Sequence, residues 1–451
     1  MHLSLFIGPL RAQEWTMQQC MEYAVTHNHA VKQAELELDN RKATKTSAIG
    51  RFLPAVDAGI GAQYNFGRAI DPETNGYTDV STFYNGYQLS ASLPVFDGFS
   101  RLHALKAAKA SELMGRASLR QQQDLTALEV MQAFANVAYY EGLVRMADEK
   151  VQETTLLLRQ TRLLEEVGRK SAADVAQVAS QQAEADYELT RQQNLHASAL
   201  LELKKAMGFP IGDSLSLSPR SLLSLTPSPS PKERGVVSSI RVKGNHSPLL
   251  GRGAGGEAFG RGAGGEAIAR YQMEAAKHEW RQARASLFPS LSLSAGLNTT
   301  YFKTLHSKTA ASFSSQFKNN MGEYIGATLS IPLFNRLQTV TNIRKARNNY
   351  KIAREAYEQK QLELEKLSRE AWQDWQGYLK QTALMEKKVE ADSLAYQLTR
   401  RQFEEGLSTA IDLHTTGSQL LQSKATLLQC RLMAMVKAHL VRYYRGERVW
   451  E

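Results

Sequence analysis

Two hydrophobic periods alternate along the chain, and the alternation happens twice. From Thr16 to about Arg51 apolar residues recur at helical spacing (Met17, Met21, Ala24, Val25, then Val31, Ala34 and Leu38), with Asn28 marking a break. The period then becomes two. Val56, Ala58, Ile60, Ala62, Tyr64 and Phe66 share one face, and Asp57, Gly59, Gly61, Gln63, Asn65 and Gly67 the other, which predicts a strand. Asp71-Pro72 and Asn75-Gly76 are turn signals. Alternation resumes with Phe83, Tyr87, Leu89, Ala91, Leu93 and Val95 against Tyr84, Gly86, Gln88, Ser90 and Ser92, with Asn85 the single misfit. The spacing predicts a β-hairpin over 53–96, ending at Asp97 as the N-cap of a long helix.

The second half repeats the first. Leu291, Leu293, Ala295, Leu297 and Tyr301 alternate with small polar residues, as do Ile325, Ala327, Leu329 and Ile331, predicting a hairpin over 289–334 with Asn335 in the cap position of Asp97. Pro94 and Pro332, Gly168 and Gly406, and Asp174 and Asp412 are each 238 positions apart. The 74-residue span from proline to glycine is therefore the same in both copies. Between these landmarks no proline occurs, and helix-forming residues dominate. A helix filling most of that span is roughly 100 Å long at 1.5 Å per residue, so the span acts as a ruler. Gly168 and Gly406 stop the long helices, and Ser171 and Thr409 cap returning helices that carry Asp174 and Asp412 in their first turns. Helical hairpins over 98–207 and 336–446 follow.

Strands with one apolar face and one face of Ser, Gly, Asn and Thr suit a wall between lipid and water. Four strands cannot close a barrel, and open edges in hydrocarbon leave backbone groups unsatisfied at several kcal/mol each. A barrel shared between chains answers this; a coiled-coil scaffold of the cell envelope with a small sheet is the alternative. Residues 1–12 read either as the tail of a secretory signal, with cleavage after Ala12, or as a merely apolar N-terminus. The first repeat covers 13–219 and the second 267–451.

The opening Trp15-Thr16-Met17, the strand starts Phe52-Leu53-Pro54 and Leu287-Phe288-Pro289, and the strand exits Leu93-Pro94-Val95-Phe96-Asp97-Gly98 and Ile331-Pro332-Leu333-Phe334-Asn335 resemble the TolC-like outer-membrane efflux channels, as do both Gly, Ser/Thr, Asp tips. The resemblance implies a mainly α fold with a membrane β-barrel, twelve-stranded in a homotrimer, in which helical hairpins build a periplasmic tunnel. It implies a passive exit duct for drugs or other exported substrates, in efflux or type I secretion. The partners it implies are a periplasmic adaptor, an inner-membrane pump and outer-membrane lipid, with no cofactor. Gly168, Ser171, Asp174, Gly406, Thr409 and Asp412 then lie where the adaptor binds, and Asp392, Glu404 and Glu405 are candidates for an acidic constriction.

Composition changes this picture little. The mean hydropathy is −0.38, and no run of 18 apolar residues offers a spanning helix. Part of the net charge of +10 lies in the low-complexity stretch 220–266, so it is not read as nucleic-acid binding. That stretch holds Pro227-Ser228-Pro229-Ser230-Pro231 and a tandem nonamer, read as a disordered insertion. Each nonamer carries a G-x-G-x-x-G pattern (Gly251, Gly253, Gly256; Gly260, Gly262, Gly265), but without a flanking strand it is a poor phosphate signal. Cys20 and Cys430 lack metal spacing, and His27 and His29 read as surface residues. No nucleophile elbow or H-E-x-x-H pattern occurs, so an enzyme is not expected.

Overall fold

The computed structural model describes residues 14–70, 75–79, 81–218, 264–304 and 311–450. The readings of 1–12 as a signal and of the Asp71-Pro72 turn lie outside these residues, as does nearly all of 220–266.

The helical repeat is exact in length. Helix α1 (Met17–His27) starts on Thr16, whose hydroxyl accepts from the Gln19 N–H, and ends at extended Asn28. Helix α2 (His29–Gly50) follows. Helices α3 (Ser100–Glu166) and α4 (Ala172–Met207) form the first hairpin; α7 (Gln338–Glu404) and α8 (Ala410–Arg445) form the second. Both long helices have 67 residues and both return helices 36, and each return helix ends on a left-handed glycine, Gly208 or Gly446. Helix α5 (Gly264–Ala285) opens the second half and, like α2, has 22 residues. Helical order thus begins three residues inside the 220–266 stretch, because Gly264, Gly265 and Glu266 join the first turn of α5.

Strands β1 (Glu14–Trp15), β3 (Arg68–Ile70), β4 (Tyr77–Asp79) and β6 (Ser216–Leu217) form two small pairs, β1 with β6 and β3 with β4. The main sheet is antiparallel, in the order β2 (Ala55–Asn65), β5 (Thr82–Phe96), β7 (Ser290–Thr304), β8 (Gly322–Ser330). Register keeps the two faces separate. Ala58, Leu89 and Leu297 line up on one face; Gly59, Gln88 and Asn298 on the other. On the polar face the Tyr324 ring covers Gly296, and a Cβ on that glycine would fall 2.6 Å from it. Strand β8 stops at Ser330, short of the expected 334.

Beyond Asn298, β7 has no strand beside it on the β8 side among the described residues, and the short helix α6 (Phe313–Asn319) takes that place. The Gln316 amide accepts from the Phe302 N–H (2.8 Å) and donates to the Phe302 carbonyl (2.7 Å). Asn320 Nδ2 donates to the Thr300 carbonyl at 2.8 Å. Side chains thus imitate a strand, and satisfy backbone groups that would otherwise lack partners.

One expectation needs correcting. Asp97 and Asn335 are not N-caps in position, since α3 and α7 begin three residues later. Two consecutive left-handed residues intervene in each copy, Gly98 and Phe99 (φ 64° and 69°), and Arg336 and Leu337 (φ 55° and 62°). The side chains still reach forward to the helix starts: Asp97 Oδ2 accepts from the Arg101 N–H at 3.0 Å, and Asn335 Oδ1 from the Thr339 N–H at 3.3 Å.

The described residues divide into two compact units. One draws on Met1–Glu37, Arg116–Ile268 and Glu358–Glu451; the other on Leu38–Gly115 and Ala269–Tyr357 and contains the main sheet. The first has its core where α1 meets α3, α4 and α8, around Met21, Phe134, Met207 and Met435. Cys20 and Cys430 are buried free thiols, and burial pushes Cys20 up to about 12. In the second unit the His103 and His278 rings stack, with Nδ1 atoms 3.4 Å apart. Burial, followed by the charges of Lys106 and Arg281, holds His103 below its usual 6.5; burial, then His103 and the cations Arg281, Lys106 and Lys277, does the same to His278.

Two predictions follow from these contacts. A Cβ on Gly98 would meet the Ala285 carbonyl oxygen at 2.6 Å, whereas its counterpart position already carries Arg336. Gly98→Arg should therefore destabilise the fold by about 1–3 kcal/mol or more, and Arg336→Gly by far less, as read from thermal unfolding in detergent. Because the folded histidine pair resists protons that the unfolded chain accepts, stability should fall as pH drops through about 6.5. H103Q/H278Q should lose that part of the pH dependence; an unchanged profile would refute the assignment.

Candidate functional site: the hairpin tips

The two tips are built by the same local rules. In each, the long helix closes with the Schellman arrangement: the Gly168 N–H donates to Glu165 O (2.8 Å) and the Arg169 N–H to Leu164 O (2.8 Å), while the Gly406 N–H donates to Phe403 O (3.0 Å) and the Leu407 N–H to Gln402 O (2.7 Å). Gly168 and Gly406 have φ of 76° and 82° in open space, so their need for glycine is conformational. Ser171 and Thr409 then form reciprocal capping boxes with Asp174 and Asp412. The Asp174 N–H donates to Ser171 Oγ (3.2 Å) and the Ser171 N–H to Asp174 Oδ2 (3.0 Å); the equivalent Thr409 bonds are both 3.1 Å. The Ser171 backbone and hydroxyl donors hold the Asp174 carboxyl below its usual range, and the Thr409 hydroxyl and backbone N–H do the same for Asp412.

The sequence names the turn residues but not what joins the two tips. Phe403 is 2% exposed in a small core with Leu158, Val178, Ala410 and Leu413. Lys170 from the first tip sits 4.0 Å over the Phe403 ring, and the buried Gln181 amide donates to the Ala410 carbonyl at 3.1 Å. Further along, the Tyr396 hydroxyl donates to Glu153, which also meets Lys150 at 3.1 Å and Arg400 at 3.9 Å. This polar cluster ties α3 to α7. The available signal was Tyr396 and Phe403, seven residues apart on a largely polar helix and hence on one face.

The three acidic candidates are not brought together as one group. Lys388 (2.6 Å) and the Ser423 hydroxyl hold the Asp392 carboxylate between α7 and α8, and keep it below its usual range. Glu404 pairs with Arg400 at 3.2 Å, and Glu405 is exposed. Among the described residues no three His, Cys, Asp or Glu side chains gather to hold a metal ion.

The chain combines two long helical hairpins with a two-faced antiparallel sheet, and known proteins share that fold. The structure of CusC superposes with a TM-score of 0.77 at 16% identity, covering 96% of this chain and 93% of that one. VceC from Vibrio cholerae gives 0.73 at 16% identity, covering 96% of each chain. Protein CyaE of Bordetella pertussis is 26% identical over 131 residues, 29% of this chain, and the match spans about a quarter of that relative's length (27%). The model of the family described as outer membrane efflux protein matches residues 21–209 and 267–435, most of both repeats. The chain belongs to the outer membrane efflux protein family. It is a channel protein of the outer membrane, with its helical part in the periplasm, and not an enzyme.

Removing both caps with S171A/T409A should cost about 1 kcal/mol at each tip. Amide exchange at Asp174 and Asp412, whose N–H groups lose their acceptors, should then quicken by roughly fivefold while the core around Phe134 keeps its protection.

Proposed function

We propose that this chain is the exit duct of a tripartite efflux or type I secretion system, passing drugs or other exported substrates from an inner-membrane pump and its periplasmic adaptor to the exterior. The observation that carries this is the main sheet: it has one apolar and one polar face, and among the described residues the outer edges of β2 and β8 have no strand partner. In lipid those edges need partners, and a second and third copy supply them, giving a twelve-stranded barrel in a homotrimer. The polar face of Ser, Gly, Asn and Thr then lines the water-filled passage.

The adaptor docks on Gly168, Ser171, Asp174, Gly406, Thr409 and Asp412, where six well-formed turn positions, all exposed but the half-buried Asp174, present two similar surfaces. Asp392, Glu404 and Glu405 supply acidic character near the second tip, with Glu405 the freest of the three. The Glu153, Tyr396 and Arg400 cluster ties α3 to α7, and we infer that it is the latch that opening releases. Energy comes from the partner pump.

The duct is tested by sizing the detergent-extracted protein, heated and unheated, after cell fractionation: a heat-dissociable trimer in the outer membrane is expected. A soluble monomer would defeat the channel and favour a coiled-coil scaffold. The latch is tested by Tyr396→Phe with Arg400→Ser, which should raise single-channel conductance in planar bilayers several-fold and leave the trimer intact. Unchanged conductance would remove the latch from the mechanism.

A further inference from the structure

The second unit has a cleft of about 610 Å³ lined by matching stripes of α2, α3, α5 and α7, among them Ser47, Ala104, Ala108, Ala275, Gln282 and Ala353. Arg51 and Glu279 are the only charged residues in its lining. The stripes identify the inner side of each helix. At 100° per residue, Lys106, Lys109, Arg281, Arg284, Arg344 and Arg347 fall roughly 130–170° away from those stripes. All six are exposed, and no ion pair to any of them exists among the described residues.

The pattern along this outer side is ordered. On α3 it reads Leu102, Lys106, Lys109; on α7 it reads Val340, Arg344, Arg347. Each member is 238 positions from its counterpart, so both copies of the repeat carry an apolar residue followed four and seven residues later by a cation. Leu102 is 38% exposed and Val340 58%, and both stand nearer the strands than the cations do. Just above them Phe99 and Leu337, 59% and 63% exposed, continue the apolar surface. Helix α5 runs toward its strand with the opposite chain direction yet gives the same order in space: Arg281 and Arg284, then exposed Leu287 and Phe288. An apolar band that changes to cations within about 10 Å matches the profile of a membrane interface, where lipid tails give way to phosphates.

We propose that this collar binds the anionic phospholipid headgroups of the periplasmic leaflet of the outer membrane. Phosphates meet the lysine and arginine head groups, while Leu102 and Val340 enter the acyl boundary. The collar thereby fixes how deep the sheet sits. Lipid is favoured over a transported anion because the cations lie away from the cleft, and because the apolar residues above them have no use in a soluble ligand's site.

The test compares the full-length protein in nanodiscs of phosphatidylethanolamine alone and of phosphatidylethanolamine with phosphatidylglycerol. The native protein should retain phosphatidylglycerol through native mass measurement and unfold several degrees higher in the mixed lipid. K106Q/K109Q/R344Q/R347Q should retain about tenfold less of it and unfold at one temperature in both lipids. R145Q/R159Q/R162Q/R401Q, which removes the same charge far down the hairpins, should behave as native. Equal unfolding of the native protein in both lipids would overturn the proposal, as would equal losses in the two variants. If the fourfold change prevents folding, K106Q/K109Q and R344Q/R347Q are measured separately against the same criteria.

Discussion

The main sheet depends on backbone hydrogen bonding in a medium that offers none. A sheet in hydrocarbon must give every N–H and C=O a partner, and inside its two outer edges, β2 and β8, this sheet does so in two ways. Between β2 and β8 it uses ordinary antiparallel ladders, whose register keeps apolar and polar residues on separate faces. Where β7 outruns β8, it uses the side-chain amides of Gln316 and Asn320. The helical part faces water and is under no such obligation. Its stability comes from alanine-lined contacts and from local caps.

The repeat shows which features are local and which belong to the neighbourhood. Helix lengths, left-handed glycines and capping boxes are the same in both copies, because each is set by a few adjacent residues. Position 98 and position 336 share a backbone conformation but not a residue. Gly98 lies against Ala285 and Phe288 and has no room for a side chain, while Arg336 is exposed. A conformation was duplicated; its surroundings were not.

This also explains how much was legible in the sequence. Alternation and helical spacing gave the strands and hairpins directly, and the turn residues Gly168, Ser171 and Asp174 specified their own geometry. The displaced starts of α3 and α7 were hidden, since nothing in Phe99 or Leu337 advertises a left-handed backbone. The Glu153–Tyr396 contact joins residues 243 apart, and no local pattern encodes such a meeting. Helix α6 escaped notice because it does a strand's work with side chains. The outer cations were in plain view as letters, but their common side became evident only once the cleft marked the inner one.

The equality of the two hairpins has an evolutionary consequence. Deleting one residue from α3 alone would draw its tip up by about 1.5 Å and turn every side chain below the deletion by about 100°, unseating Glu153 from Tyr396 and Lys170 from Phe403. Length changes here can survive only as matched pairs, one in each copy, so hairpin length should drift in lockstep through descent. The segment around 220–266 lies outside both measured spans. A change of length there falls between the end of α4 and the start of α5, and so leaves the register inside both hairpins untouched.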